Sequence, residues 1–337
     1  MPYSTDDFDS WNQAQVNPNQ PASPGGHSSN HPALNADTQG MPMFAKLRLQ
    51  EHIKKAKAPF TSNFTISELL LTHKVGYDPV AQVMGASVYH VGWQWMPNSM
   101  FYGAGELGVI TNAHTEAWAF ALWRLSQQAN VAGTHAVVGV QMSQRAFDFS
   151  VREEKNDDNI LDTGDQAALI EVALTGTAVR AGGQISMDRP LLSTLTAQEL
   201  LALDECGGFP AGIVYGCCSY YQPSFWSMAN GTGSPVAWGT QWQNQELTDY
   251  TNGYVHARKT AVQRMFDQSQ ILGAQGVLDV KMHSMIKDIE RDVHDYTYDR
   301  DYKQAGLIIT VEAVGTAIFD GDDKTYPGIH QVVELTG

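Results

Sequence analysis

The fold of this chain is decided by a short segment that occurs twice, as Val83-Met84-Gly85-Ala86-Ser87 and again as Val214-Tyr215-Gly216-Cys217-Cys218. The two copies lie 131 residues apart, and the same shift relates Glu68 to Glu199 and Trp95 to Trp226. Residues 132–142 match 272–282 at a shift of 140, and residues 173–179 match 312–318 at a shift of 139. Matches in the same order with small changes of shift indicate two tandem copies of one domain.

Length and charge limit the class of protein. The 337 residues predict about two domains, and 43% hydrophobic residues are enough for a core in each. A net charge of −15 argues against nucleic acid or an anionic membrane as the partner. No apolar run approaches the ~20 residues that span a bilayer. The N-terminus lacks the features of a signal peptide, and three cysteines do not make a disulfide framework. These features predict a cytoplasmic protein without a membrane span.

Composition divides the chain into five parts. Residues 1–41 are polar and rich in Pro and Gly, which predicts a disordered tail. Residues 42–58 predict a basic helix that packs on the first domain; the alternative is docking on an acidic neighbouring subunit. The two domains are predicted at 59–181 and 190–320, and residues 321–337 form a C-terminal extension. The segment 1–58 is also where a protein partner is expected to bind.

The predicted elements follow the same order in both halves, β-(β)-α-β-β, with an antiparallel sheet and one main helix in each. In the first half the strands are predicted at 80–95, 136–142 and 168–180, with the helix at 115–129. In the second half they are predicted at 213–221, 276–282 and 306–319, with the helix at 252–272. The charged connections 145–165 and 287–301 are expected to form extended hairpin arms.

The chain resembles the YbjQ-like family, which is often called a putative heavy-metal-binding domain. The resemblance is carried by the Gly-bearing strand, the helix that ends in Leu272-Gly273-Ala274, the apolar strand 136–140, and the closing segments 176–179 and 315–318. It implies two tandem α+β domains of dodecin or YbjQ-like type that assemble into rings, which are pentamers in family members. It does not imply a reaction.

Metal binding is the first candidate chemistry, with Cys217 and Cys218 as the candidate ligands. Adjacent residues of a strand face opposite sides, so the two thiols do not readily share one ion within a subunit. A structural zinc site needs about four N or S ligands. Buried cysteines that act as small hydrophobic residues are therefore favoured. A divalent metal held by one Cys from each subunit of a ring is the remaining metal hypothesis.

The histidines and acidic clusters do not predict a site. His90, His114, His135 and His256 do not recur at equivalent positions, although a site needed by both domains would leave pairs. They are interpreted as surface or core histidines with satisfied hydrogen bonds. The acidic runs near 153–165 and 288–301 lack calcium-loop spacing and predict solvated hairpins, with docking on a neighbouring subunit as the alternative.

Catalytic and aromatic motifs are equally uninformative. No Gly-x-Ser-x-Gly motif or P-loop occurs, and residues 103–108 approach Gly-x-Gly-x-x-Gly without a surrounding βαβ unit. The many tryptophans predict core or intersubunit packing, with an aromatic ligand pocket as the alternative; they include Trp93, Trp95, Trp118, Trp123, Trp226, Trp238 and Trp242.

The sequence therefore predicts a structural protein without enzymatic activity and without a cofactor. The expected assembly is a homo-oligomer, a pentamer of chains with two stacked rings of domains. A single ring with an even number of domains is the other arrangement open to fused copies. The alternative function is a heavy-metal or small-ligand binding module with sites at the subunit interfaces.

Overall fold

The computed structural model describes residues 46–47, 49–50, 61–74, 76–91, 103–148, 167–181, 190–223, 246–295 and 300–319. In the first half the elements are α1 (Ile66–Lys74), β1 (Tyr77–His90), β2 (Gly105–Glu106), α2 (Gly108–Val131), β3 (Ala136–Asp148) and β4 (Ala167–Ala181). In the second half they are β5 (Leu191–Leu192), α3 (Ala197–Glu205), β6 (Phe209–Pro223), α4 (Thr248–Ile271), β7 (Gly276–Asp295) and β8 (Arg300–Phe319). The α+β class is as predicted.

Each half builds one sheet and contributes one short strand to the sheet of the other half. The first sheet has the order β1-β4-β3-β5, and the second has the order β2-β6-β8-β7. The three long strands of each sheet are antiparallel and occupy equivalent positions. The exchanged strands β2 and β5 are too short to be recognised in the sequence, and they were not predicted.

The long helix of each half lies on its sheet at the repeated glycine. A Cβ atom at Gly85 would lie 2.6 Å from the backbone nitrogen of Leu125, and a Cβ at Gly216 would lie 2.6 Å from that of Met265. These distances are far below van der Waals contact, so only glycine permits the helix to approach the strand this closely. Each helix also binds the Gly-bearing strand of its own half through a glutamine. Gln128 Oε1 accepts from the Met84 N–H, and Gln268 Oε1 accepts from the Tyr215 N–H.

Two further details recur in both halves. The short helices α1 and α3 begin with the same capping box, in which Thr65 pairs with Glu68 and Thr196 pairs with Glu199. A bulge interrupts β3 and β7 at equivalent residues, Gly139 with φ 63° and Asp279 with φ 50°. The second half therefore places a non-glycine residue in the left-handed region, where Asp is better tolerated than most residues.

The predicted elements exist, but their ends differ. The helices begin earlier than predicted, at Gly108 and Thr248 rather than at 115 and 252, because the Gly-rich and polar residues there conceal the periodicity. In the predicted arm at 287–301, β7 and β8 stay paired from Lys287 to Asp295, as expected for a hairpin, and residues 296–299 lie outside the described residues. Residues 149–166, the tail 1–41 and the extension 321–337 lie outside the described residues. Of the predicted helix 42–58, the structure describes Lys46, Leu47, Leu49 and Gln50 as helical, with Leu49 buried in the core.

None of the helices in the described part of the chain is both long and apolar enough to cross a membrane.

Candidate functional site

The two halves meet through the start of α2 and the outer surface of β6. The strand β2 pairs with β6 at Glu106 and Tyr220, and the Leu107 N–H then donates to the Ser219 carbonyl at 2.8 Å. The Ser219 N–H in turn donates to Thr111 Oγ1 at 2.9 Å. On the other side of the contact, β5 extends the first sheet by pairing in parallel with β3. The halves are therefore joined by backbone hydrogen bonds at two sheet edges.

An ion pair lies at the rim of this contact. Arg264 on α4 donates to both carboxylate oxygens of Glu106, at 2.7 and 3.0 Å, and also to the Cys217 carbonyl at 2.6 Å. Burial alone raises the pKa of Glu106, but its hydrogen bonds and the charge of Arg264 outweigh burial and lower it below its usual value. Glu106 is therefore ionised at neutral pH, and the bidentate pair fixes how α4 sits against β2.

A buried polar cluster occupies the centre of the contact, around the carboxylate of Glu312 on β8. Its Oε1 atom lies 2.9 Å from His114 Nδ1, accepts from Gln144 Nε2 at 2.6 Å, and accepts from the Tyr215 hydroxyl at 2.7 Å. His114 and Gln144 belong to the first half, and Tyr215 and Glu312 belong to the second. Tyr215 also stacks on Trp118, with ring centroids 4.4 Å apart. The cluster thus joins the two domains by side chains.

His114 Nδ1 has two polar neighbours in this cluster that it cannot both satisfy. Nδ1 lies 2.9 Å from Glu312 Oε1 and also 2.9 Å from Gln144 Nε2. A neutral Nδ1 that accepts from the Gln144 amide cannot also donate to the carboxylate, and a protonated Nδ1 cannot accept from the amide. One of these two short contacts is therefore unsatisfied in either protonation state.

The cysteines lie on opposite faces of β6, as expected for adjacent strand residues. Cys217 is buried at the contact between the halves and packs in the same core cluster as Tyr215. Cys218 packs against α4, among Ala257 and Ala261. Burial, and next the charge of Glu312, raise the pKa of Cys217 well above its usual value; burial raises that of Cys218 to about 11. Both thiols are therefore protonated at neutral pH, and they do not form one two-thiolate site.

Two atoms near the cluster have no hydrogen-bond partner among the described residues, although both are buried. They are Glu312 Oε2 and His283 Nδ1, which lie 3.9 Å apart. His283 on β7 is directly opposite Glu312 in the strand register. A buried carboxylate oxygen without a partner is costly and requires an explanation.

Sequence reasoning found Cys217 but missed Glu312, His283, Gln144 and the role of His114. A site between the two halves takes different residues from each half, and a comparison of repeated residues does not reveal such a site. The available signal was the mismatch itself: Glu312 is a charged residue within an apolar strand where the first half has Ala173. Of the predicted tryptophans, Trp118 is buried and Trp123 is half-exposed, while the other five lie outside the described residues.

The contact joins two different surfaces, which we call the helix face and the strand face. The helix face of the first half includes Leu107, directly before α2, and Val138 on β3, which packs in one core cluster with Leu195 and Leu200 of the second half; Leu107 and Val138 are 0% and 1% exposed. Their counterparts in the second half, Leu247 and Leu278, are 41% and 40% exposed. The first-half helix face is therefore covered, whereas the equivalent second-half surface is not.

The strand face shows the opposite pattern. Tyr215 and Ser219 on β6 are 3% and 0% exposed, whereas their counterparts Met84 and Val88 on β1 are 44% and 67% exposed. Phe120 and Trp123 on α2 add further exposed apolar surface to this half. Each half therefore carries both faces, and the chain leaves one of each uncovered.

The sequence is similar to a known protein over most of the length of both. The encapsulin nanocompartment protein Rv1762c of Mycobacterium tuberculosis (strain ATCC 25618 / H37Rv) is 30% identical over 251 residues, which cover 72% of this chain and 84% of that protein. No protein-family model matches the chain, and no solved structure matches it. At this identity and coverage, the chain belongs to the family of the encapsulin nanocompartment protein Rv1762c.

Proposed function

We propose that this protein is a non-catalytic structural component of a cytoplasmic protein compartment and that it assembles from copies of itself. The observation that carries the assembly is the pair of uncovered faces, one helix face and one strand face, whose covered counterparts pack on each other within the chain. The name of the relative, an encapsulin nanocompartment protein, supports the compartment. The proposal includes the tandem YbjQ-like architecture that the sequence resembles.

The contact between the halves is heterologous, because it joins a helix face to a strand face rather than two copies of one face. A heterologous contact can be repeated, since every unit retains the surface that the next unit requires. The helix face at Leu247 and Leu278 of one copy is thus expected to cover the strand face at Met84 and Val88 of the next copy.

The exchanged strands give this docking a register. Glu246 is the counterpart of Glu106, which pairs with Tyr220, and Tyr89 is the counterpart of Tyr220. Glu246 of one copy would therefore pair with Tyr89 at the edge of β1 in the next.

Thr61 is the counterpart of Leu192, which pairs with Val137. Thr61 of that next copy would in turn pair with Val277 at the edge of β7.

The charged residues Arg124 and Glu246 support the same contact between copies. Arg124 donates to the Ala86 carbonyl as Arg264 donates to the Cys217 carbonyl. Arg264 also holds Glu106, whereas the counterpart carboxylate, Glu246, is exposed and accepts from Thr251 within its own chain. In the assembly, Glu246 of one copy would pair with Arg124 of the next.

This geometry favours one of the two arrangements left open by the sequence. Two stacked rings with one domain per ring do not reuse the contact between the halves as a contact around the ring. A single ring with an even number of domains reuses it at every joint. A pentamer of chains in this arrangement is one ring of ten domains, which differs from the five-domain rings that the resemblance implies.

Mass photometry of the full chain tests the proposal. The wild type is expected at about five times the chain mass of 37.0 kDa, or at another whole multiple if the ring closes differently. Val88→Asp places a charge in the strand face and is expected to give monomers. The matched control is Ile286→Asp, which alters an exposed apolar residue on β7 whose first-half counterpart, Ala146, is exposed as well. A monomeric wild type, or an assembled Val88→Asp variant, would refute the proposal.

A further inference from the structure

The buried cluster between the halves has the composition of a metal site. A ring nitrogen of His114, Cys217 Sγ and a carboxylate oxygen of Glu312 all lie within 4.8 Å of one another, and all three side chains are buried. Imidazole, thiolate and carboxylate are the three ligand types that zinc takes in proteins. Within the described ranges of the chain, no other group of three His, Cys, Asp or Glu side chains meets these distances.

The atoms without partners point into this cluster. Glu312 Oε1 has three polar neighbours, whereas Glu312 Oε2 has no hydrogen-bond partner and faces His283 Nδ1 across 3.9 Å. His114 Nδ1 is also left with one unsatisfied short contact. A cation among these atoms would satisfy the carboxylate, both imidazoles and the thiolate together, which no single protonation state of His114 achieves.

We propose that His114, Cys217 and Glu312 bind a divalent transition metal of the zinc class, with His283 as the fourth ligand. Ligand atoms about 2.0–2.3 Å from a tetrahedral zinc lie about 3.3–3.8 Å apart. One ligand atom each of His114, Cys217 and Glu312 already lie within 4.8 Å of one another, so these three need only small adjustments, whereas His283 turns toward them from its place 3.9 Å from Glu312 Oε2. The Cys217 thiol proton leaves to solvent as the Cys217 thiolate bonds to the metal. The His283 side chain is partly exposed and gives the ion a path to the otherwise buried ligands.

The proposal keeps Cys217 as a ligand, does not use Cys218, and places the site within one chain rather than at a ring axis. All four ligands lie in one chain, with one from the first half and three from the second. The metal would therefore lock the contact between the halves in a single copy. It does not rest on the proposed function, because it requires no second chain.

The experiment uses the full chain without an affinity tag, incubated with Zn²⁺, dialysed against metal-free buffer and analysed by mass spectrometry for zinc. The wild type is expected to retain about one zinc per chain. Cys217→Ser is expected to lose at least about tenfold in zinc affinity, and Cys218→Ser is the matched control, because its thiol is adjacent but faces α4. Circular dichroism checks that both variants are folded.

Cobalt gives a second readout that does not depend on stability. Co²⁺ bound to a thiolate shows a ligand-to-metal charge-transfer band, which is expected in the wild type and in Cys218→Ser but not in Cys217→Ser. His283→Ala leaves the three buried ligands intact and is expected to weaken zinc binding about tenfold without unfolding the chain. Absence of zinc from the wild type, or equal zinc in the two cysteine variants, would overturn the proposal and leave a polar cluster that only joins the halves. Either result leaves the oligomeric state, and thus the proposed function, to be judged separately.

Discussion

The two halves of this protein have the same architecture but opposite surroundings. The first half buries its helix face and exposes its strand face, and the second half does the reverse. The residues differ accordingly: the buried strand face has Tyr215, Cys217 and Ser219, whereas the exposed one has Met84, Ala86 and Val88. Packing thus keeps the elements inside the two domains alike, while the two faces differ according to what covers them.

The largest expected effect comes from placing a charge at the equivalent position in each half. Leu107→Asp puts an unpaired carboxylate into the covered helix face and is expected to cost about 4 kcal/mol of folding free energy. Leu247→Asp alters the counterpart that a single chain leaves uncovered, and it is expected to cost less than about 0.5 kcal/mol when both changes are made in the monomeric Val88→Asp background. Urea unfolding measures both. Equal losses would mean that the two helix faces are not differently covered.

The repeated glycine tests the shared architecture. Gly216→Ala is expected to lower stability by about 3 kcal/mol, because its Cβ meets the backbone of α4, and Gly85→Ala is expected to cost about the same at α2. Thermal unfolding is the measurement. Gly108→Ala is the control, since a Cβ there has no atom within 4 Å, and it should be neutral or slightly stabilising. A tolerated Gly216→Ala would mean that the helix and strand are not in close contact.

A smaller effect is expected from pH at Cys218, whose first-half counterpart is Ser87. Burial raises the pKa of this thiol from 9.0 to about 11, so the folded state favours the protonated form. Its stabilising contribution is complete below pH 9 and is lost as the pH rises through about 11, to a total of about 2 kcal/mol. Urea unfolding between pH 8 and 11 measures the loss. Cys218→Ala should make the curve flatter in this range, and an unchanged slope would contradict the assignment.

The smallest expected change in folding free energy comes from replacing the equivalent arginines, Arg264 and Arg124. Arg264→Ala removes the pair with Glu106 and is expected to cost about 1 kcal/mol or less, because both side chains are partly exposed to solvent. Arg124→Ala is expected to affect the folding free energy of the single chain even less and to weaken assembly instead. Unfolding and mass photometry on the same two variants distinguish these outcomes. An Arg124→Ala variant that assembles normally would remove the Glu246 pair from the proposal.

The sequence was sufficient for the parts of the fold that occur in both halves. The Gly-bearing strand, the long helix and the closing Gly-Thr-Ala strand were predicted because periodicity and repetition agree there. The exchanged strands were not predicted, since two residues such as Gly105 and Glu106 carry no alternating pattern. Their partners belong to the other half, and that pairing depends on tertiary contact rather than on local sequence.

The candidate site was predicted only in part for a related reason. Cys217 was identified by residue type, but His114 and Glu312 are 198 residues apart in the chain and meet only where the halves pack together. His114 and Glu312 do not recur in the other half, because a site built between two copies takes different residues from each copy. The buried Glu312, whose first-half counterpart is Ala173, was the available sign that β8 and β4 have different roles.

The proposed assembly depends on one claim: the contact between the halves is repeated between chains. Mass photometry of Val88→Asp mixed with Leu247→Asp tests this claim most directly. Each variant alone is predicted to be monomeric, because one blocks the strand face and the other blocks the helix face. Their equimolar mixture is predicted to form 1:1 dimers and no larger species, through the intact helix face of the first variant and the intact strand face of the second. A mixture that stays monomeric while the wild type assembles, or variants that assemble alone, would contradict the claim.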